Sequence, residues 1–260
     1  MAIEIHDLGV TFDNRRALHA ATTHFEASSF TVLLGPSGAG KSTLLRCLNG
    51  LVQPTTGHVA VDGRRLASRG EALRRHRAAT GMIFQQHHLI GRLSVLDNAL
   101  MGRLAMHGSL RTMLGIPSAD RAIALQCLSR VGLLERALDR VDQLSGGQQQ
   151  RVGIARALTQ QPTLILADEP VASLDPKTAA DVLALIHAIC KADNLTAIVS
   201  LHQLELAQRF ADRIIGLSGG AIVFDRPPAA FDEAAQRAVY QSAIPIASSP
   251  IGARTLTAAA

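Results

Sequence analysis

Positions 35–43 read Gly-Pro-Ser-Gly-Ala-Gly-Lys-Ser-Thr, which fits G-x-x-x-x-G-K-[ST] with Gly35, Gly40, Lys41 and Ser42 at the fixed positions. The chemistry this permits is anion binding. Gly38 and Gly40 let the backbone turn so that successive N–H groups converge on one point, and the positive end of a following helix adds to them. The whole stretch, Gly35, Pro36, Ser37, Gly38, Ala39, Gly40, Lys41, Ser42 and Thr43, is therefore expected to wrap the phosphates of a nucleotide. Lys41 supplies a charge for the β- and γ-phosphates, and the Ser42 hydroxyl is a ligand for Mg²⁺.

Other residues have types suited to the same chemistry. Asp168 and Glu169 follow a wholly apolar run, Leu164 to Ala167. In open parallel sheets ligands gather at the carboxyl ends of strands, so Asp168 is placed to organise Mg²⁺ and Glu169 to activate a water against the γ-phosphate. His202 closes the apolar run Leu195–Leu201, and Gln85 closes Gly81–Phe84. A strand-end histidine can hold a γ-phosphate and a strand-end glutamine can sense it or its metal. Each residue, taken alone, has an ordinary structural reading. Leu144-Ser145-Gly146-Gly147-Gln148 is a second glycine turn that opens a helix. In isolation Ser145 is a plain N-cap, but a helix start is also an anion site. Two anion sites so far apart in one chain need a common explanation.

The elements that must position these groups follow a β/α rhythm with one interruption. Residues 2–34 alternate in the β manner and read as an antiparallel layer that includes Phe30–Leu34, with a turn at Asp13-Asn14. A helix follows the glycine loop to Leu48. His58–Val61 and a turn at Asp62-Gly63 read as a further strand, Glu71–Ala79 as a short basic helix and Gly81–Phe84 as a strand. Between Gln85 and Gln160 the period becomes helical, with Leu96, Leu100 and Leu104 on one face, helices at Arg121–Val131 and Gly147–Leu158, and a loop over 107–118. The β/α alternation then resumes. Leu164–Ala167 has the apolar character of a parallel strand buried on both faces. Thr178–Cys190 follows as a helix with Val182, Leu183, Ile186 and Ile189 inward. Next come the strand Leu195–Leu201, the helix Gln203–Phe210, a hairpin around Ser218-Gly219-Gly220 and a last helix near Ala229–Tyr240. Residues 243–260 are rich in Ala, Ser and Pro and read as a tail.

The composition limits the class. Of 260 residues, 47% are hydrophobic, enough for a large packed domain. No apolar run approaches the roughly 20 residues that cross a bilayer, and the first residues lack the basic and apolar regions of a secretory signal. A cytoplasmic chain held at a membrane only through partners is expected. The net charge of +5 is spread over scattered arginines, and aromatics are only 3% with no tryptophan, so stacking platforms for nucleic acid are not visible and no nucleic-acid partner is expected. Cys47, Cys127 and Cys190 are far apart and odd in number, which reads as free thiols in a reducing compartment.

Taken together and in order, these motifs resemble the nucleotide-binding subunit of an ABC transporter. GPSGAGKST is similar to that family's Walker A motif, LSGGQ to its signature, LILADEP to its Walker B strand with the catalytic glutamate, Gln85 to the Q-loop, Ser173-Leu174-Asp175 to the D-loop and His202 to the H-loop. The resemblance covers roughly residues 1–240. It implies an α/β P-loop NTPase of the ABC ATPase type, with a RecA-like core sheet, an antiparallel β layer and an inserted helical subdomain. The domain would span 1–242, with core and β layer in 1–85 and 161–242, the helical signature subdomain in 86–160, and a tail at 243–260. It implies ATP and Mg²⁺ as ligands, with Ser42, Gln85 and Asp168 around the metal and Glu169, His202, Lys41 and Gln85 as the catalytic set. Phe12 would stack on adenine.

The family completes its signature site across a homodimer, so Ser145, Gly146, Gly147, Gln148 and Asp175 of one chain would face the nucleotide held by the other. A finer resemblance, through His88–Asn98, Gly108–Gly115 and Phe224–Glu233, is to the ATPase subunits of phosphonate importers. It implies two membrane permease subunits docking near residues 86–104, an extracytoplasmic solute-binding protein, and a peripheral place on the cytoplasmic face of the cell (inner) membrane. Phosphite, phosphate or another small oxyanion remains an alternative cargo. A soluble ABC ATPase acting on nucleic acid or ribosomes is a further alternative, although the long coiled coils or paired cassettes usual in such chains are not seen. The adjacent His87 and His88 depart from the common pattern and read as surface loop.

Overall fold

A computed structural model describes residues 1–86, 88–106 and 116–241. Residues 107–115 of the expected loop over 107–118 and the tail at 243–260 lie outside the described residues, as does His87.

Two sheets organise the fold. The first is antiparallel, with strand order β2-β1-β4-β5, from β1 (Ile3–Phe12), β2 (Arg15–Phe25), β4 (Thr56–Val61) and β5 (Arg64–Arg65). Its hairpins turn where short polar residues adopt positive φ: Asp13 and Asn14 at 41° and 70°, then Asp62 and Gly63 at 47° and 73°. The second sheet has the order β10-β9-β3-β8-β7-β6. It comprises β3 (Phe30–Leu34), β6 (Thr80–Ile83), β7 (Leu164–Asp168), β8 (Thr196–Leu201), β9 (Arg213–Ser218) and β10 (Ala221–Arg226). All its neighbours run parallel except the β9–β10 hairpin.

One expectation is corrected here. Phe30–Leu34 is not part of the antiparallel layer; it is a central parallel strand between β8 and β9. All five of its residues are buried. That is the pattern of a strand covered on both faces, whereas a half-solvated antiparallel strand alternates.

Alternation along the parallel strands sends successive side chains to two cores. Val32, Leu34, Ala167, Val199 and Leu201 face a helical layer. Leu33, Leu166, Ile198 and Ile215 face the antiparallel sheet and α1 (Lys41–Leu48). Each fully buried aliphatic side chain stabilises the fold by about 2 kcal/mol relative to exposure. The helical layer contains α3 (Val95–Leu100), α4 (Ser118–Arg130), α5 (Gly146–Thr159) and α6 (Pro176–Ala192), with α7 (Leu204–Phe210) beyond. The helix α2 (Gly70–Ala78) precedes β6, and α8 (Glu233–Tyr240) follows β10. The four expected inward residues of α6, Val182, Leu183, Ile186 and Ile189, are all buried.

Leu104 departs from its expected face. Leu96 and Leu100 are buried, but Leu104 is 42% exposed. After Leu100 the α-helix tightens into a 3-10 segment, Met101–Met106, and at three residues per turn an i, i+4 spacing no longer keeps one face. All three cysteines are buried and free, and burial pushes the Cys47 and Cys190 thiols up to about 12. Among the described residues, no helix is long and apolar enough to cross a membrane.

The two sheets are joined by one ionic knot. Arg213 on β9 donates to both carboxylate oxygens of Asp225 on β10, at 2.5 and 2.7 Å. The same guanidinium donates to the His24 carbonyl at 2.6 Å and to the Thr23 hydroxyl at 3.0 Å, both on β2. Thr23 in turn donates to Asp225 at 2.7 Å. Replacing Asp225 with alanine leaves a largely buried guanidinium short of its partner. Asp225→Ala is expected to lower unfolding free energy by about 2 kcal/mol in urea titrations.

Candidate active site

The carboxyl ends of β3, β6, β7 and β8 lie along one edge of the six-stranded sheet, and the chemistry-bearing residues leave the strands there. β3 runs directly into the glycine loop. Gly35 takes φ 153°, and a Cβ there would stand 2.2 Å from the Leu217 carbonyl oxygen on β9, so only glycine fits. The loop closes with Ala39 N–H donating to the Pro36 carbonyl at 3.2 Å. α1 then starts at Lys41 with no side-chain cap on Gly40 among the described residues. Its leading N–H groups and helix dipole are thus free to serve an anion.

Lys41 is buried, with its side chain only 4% exposed. Its ammonium donates to the Gly35 carbonyl at 2.8 Å and the Pro36 carbonyl at 3.1 Å. It also lies 3.7 Å from Glu169 Oε1 and 3.4 Å from His202 Nδ1. Burial draws its pKa below the ordinary lysine value, against the opposing pull of Glu169 and Asp168.

β7 delivers the carboxylates. Asp168 Oδ1 accepts from the Ser42 hydroxyl at 2.8 Å and from the Ser200 hydroxyl at 3.0 Å. Glu169 takes the left-handed φ of 48°, which turns its side chain off the strand direction. Its N–H donates to Ser200 Oγ at 2.8 Å, and its Oε1 meets Nε2 of His202. His202 Nδ1 lies 3.1 Å from the Gly35 carbonyl. One continuous network therefore links the glycine loop, both carboxylates and the histidine.

Ser200 is the functional residue the sequence reading missed. It is fully buried and sits opposite Asp168 in the β7–β8 register. It donates to one carboxylate and accepts from the backbone of the next residue, so it orients both acids. Its only trace in the sequence is that it is the single polar residue in Ala197–Leu201.

Ser42 Oγ and Asp168 Oδ1 are hard oxygen donors already in contact. No group of three or more His, Cys, Asp or Glu side chains suited to a metal occurs among the described residues. Ser42 and Asp168 are donors of the type Mg²⁺ takes.

Gln85 follows β6, the strand beside β7, but is exposed. Among the described residues no hydrogen bond ties it to the cluster. Phe12 ends β1 at the hairpin tip and is 48% exposed. The second glycine turn forms a separate unit. Ser145 caps α5 in a reciprocal box: Gln148 N–H donates to Ser145 Oγ at 3.4 Å, and Ser145 N–H donates to Gln148 Oε1 at 3.0 Å. Ser145 and Gly146 are exposed. Gly147 abuts the first turn of α6, where a Cβ would lie 2.6 Å from Thr178 Cγ2. Asp175 caps α6 by accepting from Thr178 N–H at 3.0 Å, and bonding to Thr178 holds its carboxyl below the usual range. The turn at Ser145 and the cap at Asp175 are thus neighbours, and among the described residues no hydrogen bond joins either to Lys41.

A glycine loop feeding a helix, with a strand-end acid on its serine and a second acid beside it, is the site of a P-loop nucleoside triphosphatase. The family model for ABC transporters matches residues 18–172, and the chain belongs to that family. It is 54% identical over 244 residues to the phosphonates import ATP-binding protein PhnC 3 of Nostoc sp., covering 94% of this chain and 93% of the relative. It is 60% identical to the phosphite import ATP-binding protein PxtA of Stutzerimonas stutzeri, covering 86% of this chain and 81% of the relative. Among solved structures it is similar to the dimeric bacterial ABC transporter cassette MJ0796, with TM-score 0.76 and 32% identity, covering 87% of this chain and 98% of that one. The same cassette is also known in a post-hydrolysis state bound to ADP and Pi, at 31% identity and TM-score 0.76 over 87% of this chain and 98% of that one. The chain is an ATP-hydrolysing transport ATPase.

If Ser200 aligns the two acids, Ser200→Ala should lower ATP turnover by about tenfold and leave the fold intact. Steady-state ATPase assays against Mg²⁺ concentration check this; an unchanged rate and Mg²⁺ dependence would contradict it.

Proposed function

We propose that this chain energises the import of phosphonates through a membrane permease, as the peripheral ATPase subunit on the cytoplasmic face. The network joining Lys41, Ser42, Asp168, Glu169 and His202 carries the hydrolytic part of this reading. The glycine loop holds the triphosphate, with Lys41 turning from its own loop carbonyls to the β- and γ-phosphates. Ser42 and Asp168 would hold Mg²⁺, with Gln85 after β6 as a further ligand; a metal held there would supply charge neutralisation for phosphoryl transfer. Glu169, oriented through Ser200, takes the proton of the attacking water, and His202 steadies the γ-phosphate. Phe12 offers its exposed face to adenine.

The exposed start of α5 completes the site in a second copy of the chain. Ser145, Gly146, Gly147 and Gln148 present N–H groups, a hydroxyl and the helix dipole to the γ-phosphate opposite, with Asp175 alongside. The dimeric state of a cassette 32% identical to this chain supports that assembly. Residues 86–104 meet the permease, and an extracytoplasmic binding protein selects the cargo.

The names of the relatives support phosphonate as that cargo, and the phosphite relative at 60% identity favours phosphite as the second reading. Deleting the gene in its host separates them. Growth on a phosphonate as sole phosphorus source should cease, returning with the wild-type gene but not with Lys41→Ala, while growth on phosphate persists. Loss confined to phosphite would favour the second reading. Normal growth on phosphonate, with no redundant importer, would overturn the first.

A further inference from the structure

Resting on the ATPase reading of the site, we infer that Tyr240 is a positioning residue for His202, through which α8 governs the hydrolytic step. His202 lies one residue beyond the last ladder pair of its strand, Leu34 with Leu201. The sheet therefore stops fixing the backbone just where the imidazole must be placed. Its side chain is held from one side by the Gly35 carbonyl and Glu169. Its main chain is held from the other side: the Tyr240 hydroxyl donates to the His202 carbonyl at 3.2 Å.

The helix that carries Tyr240 is firmly seated. Asp232 caps it by accepting from Ala235 N–H at 2.8 Å. Val239 is fully buried against Gly216 of β9, where a Cβ would come within 2.4 Å of the valine methyl. Tyr240 is half-buried in the last turn and packs on the main core. Burial raises its phenol pKa, so the hydroxyl stays a donor at neutral pH. No other tyrosine occurs in the chain, and its hydroxyl links α8 to the backbone of the strand-end histidine.

Tyr240→Phe removes the hydroxyl and keeps the ring packing. Positioning predicts a fall in kcat of about threefold to tenfold, with the KM for ATP unchanged. It also predicts a shift of the His202 imidazole signals in ¹⁵N-histidine NMR spectra, assigned with His202→Ala. The signals of His76 and His187, packed elsewhere, should stay put. An unchanged kcat with unmoved His202 signals overturns the inference. So does a joint change of kcat and KM in which His76 and His187 signals also move, because that reports general loosening. If the wild-type chain hydrolyses no ATP, the ATPase reading fails, and the His202 signals still decide whether Tyr240 holds that residue.

Discussion

Asp168 is a carboxylate only 7% exposed at the end of a fully buried strand. A charge so placed must be paired or fully hydrogen-bonded. Two hydroxyls meet that demand, Ser42 from the helix after the glycine loop and Ser200 from the next strand. Those two bonds tie α1, β7 and β8 together at the carboxyl edge of the sheet. The consequences extend to Glu169, whose N–H reaches the same serine, and from Glu169 to His202 and Lys41. The site is preorganised because one buried acid has to be satisfied, and that preorganisation is what electrostatic catalysis requires.

The burial of Lys41 follows from the same arrangement. Its ammonium holds two carbonyls of its own loop and stands near both acids. Burial still outweighs those acceptors and draws its pKa down, and a triphosphate would offer the ammonium stronger acceptors than its own loop carbonyls.

The motifs were legible because their spacing along the chain is itself the structural constraint. Gly35 to Ser42 form one turn and one helix start, and Asp168, Glu169 and His202 announce themselves by ending apolar runs. The turns at Asp13-Asn14 and Asp62-Gly63 were legible for a local reason as well, since positive φ favours those residues. What could not be read depends on pairing between distant segments. The place of Phe30–Leu34 in the parallel sheet is set by β8 and β9, which lie far along the chain. Ser200 matters only because the register puts it opposite Asp168, and Tyr240 only because α8 folds back over β9. Leu104 failed for a narrower reason: a helical period does not reveal where an α-helix tightens to 3-10.

The start of α5 remains apart from the Lys41 cluster within the chain, held by its own capping box and by the neighbouring cap at Asp175. In the proposed assembly each working site joins Lys41 of one copy to Ser145 of another. Mixing two damaged chains tests this directly. Lys41→Ala and Ser145→Arg should each be inactive alone, yet in a mixed dimer one of the two sites regains both intact halves. The account predicts that ATPase activity reappears on mixing the purified variants and rises to a plateau near equal amounts. Activity that never exceeds the sum of the two separate preparations would contradict it.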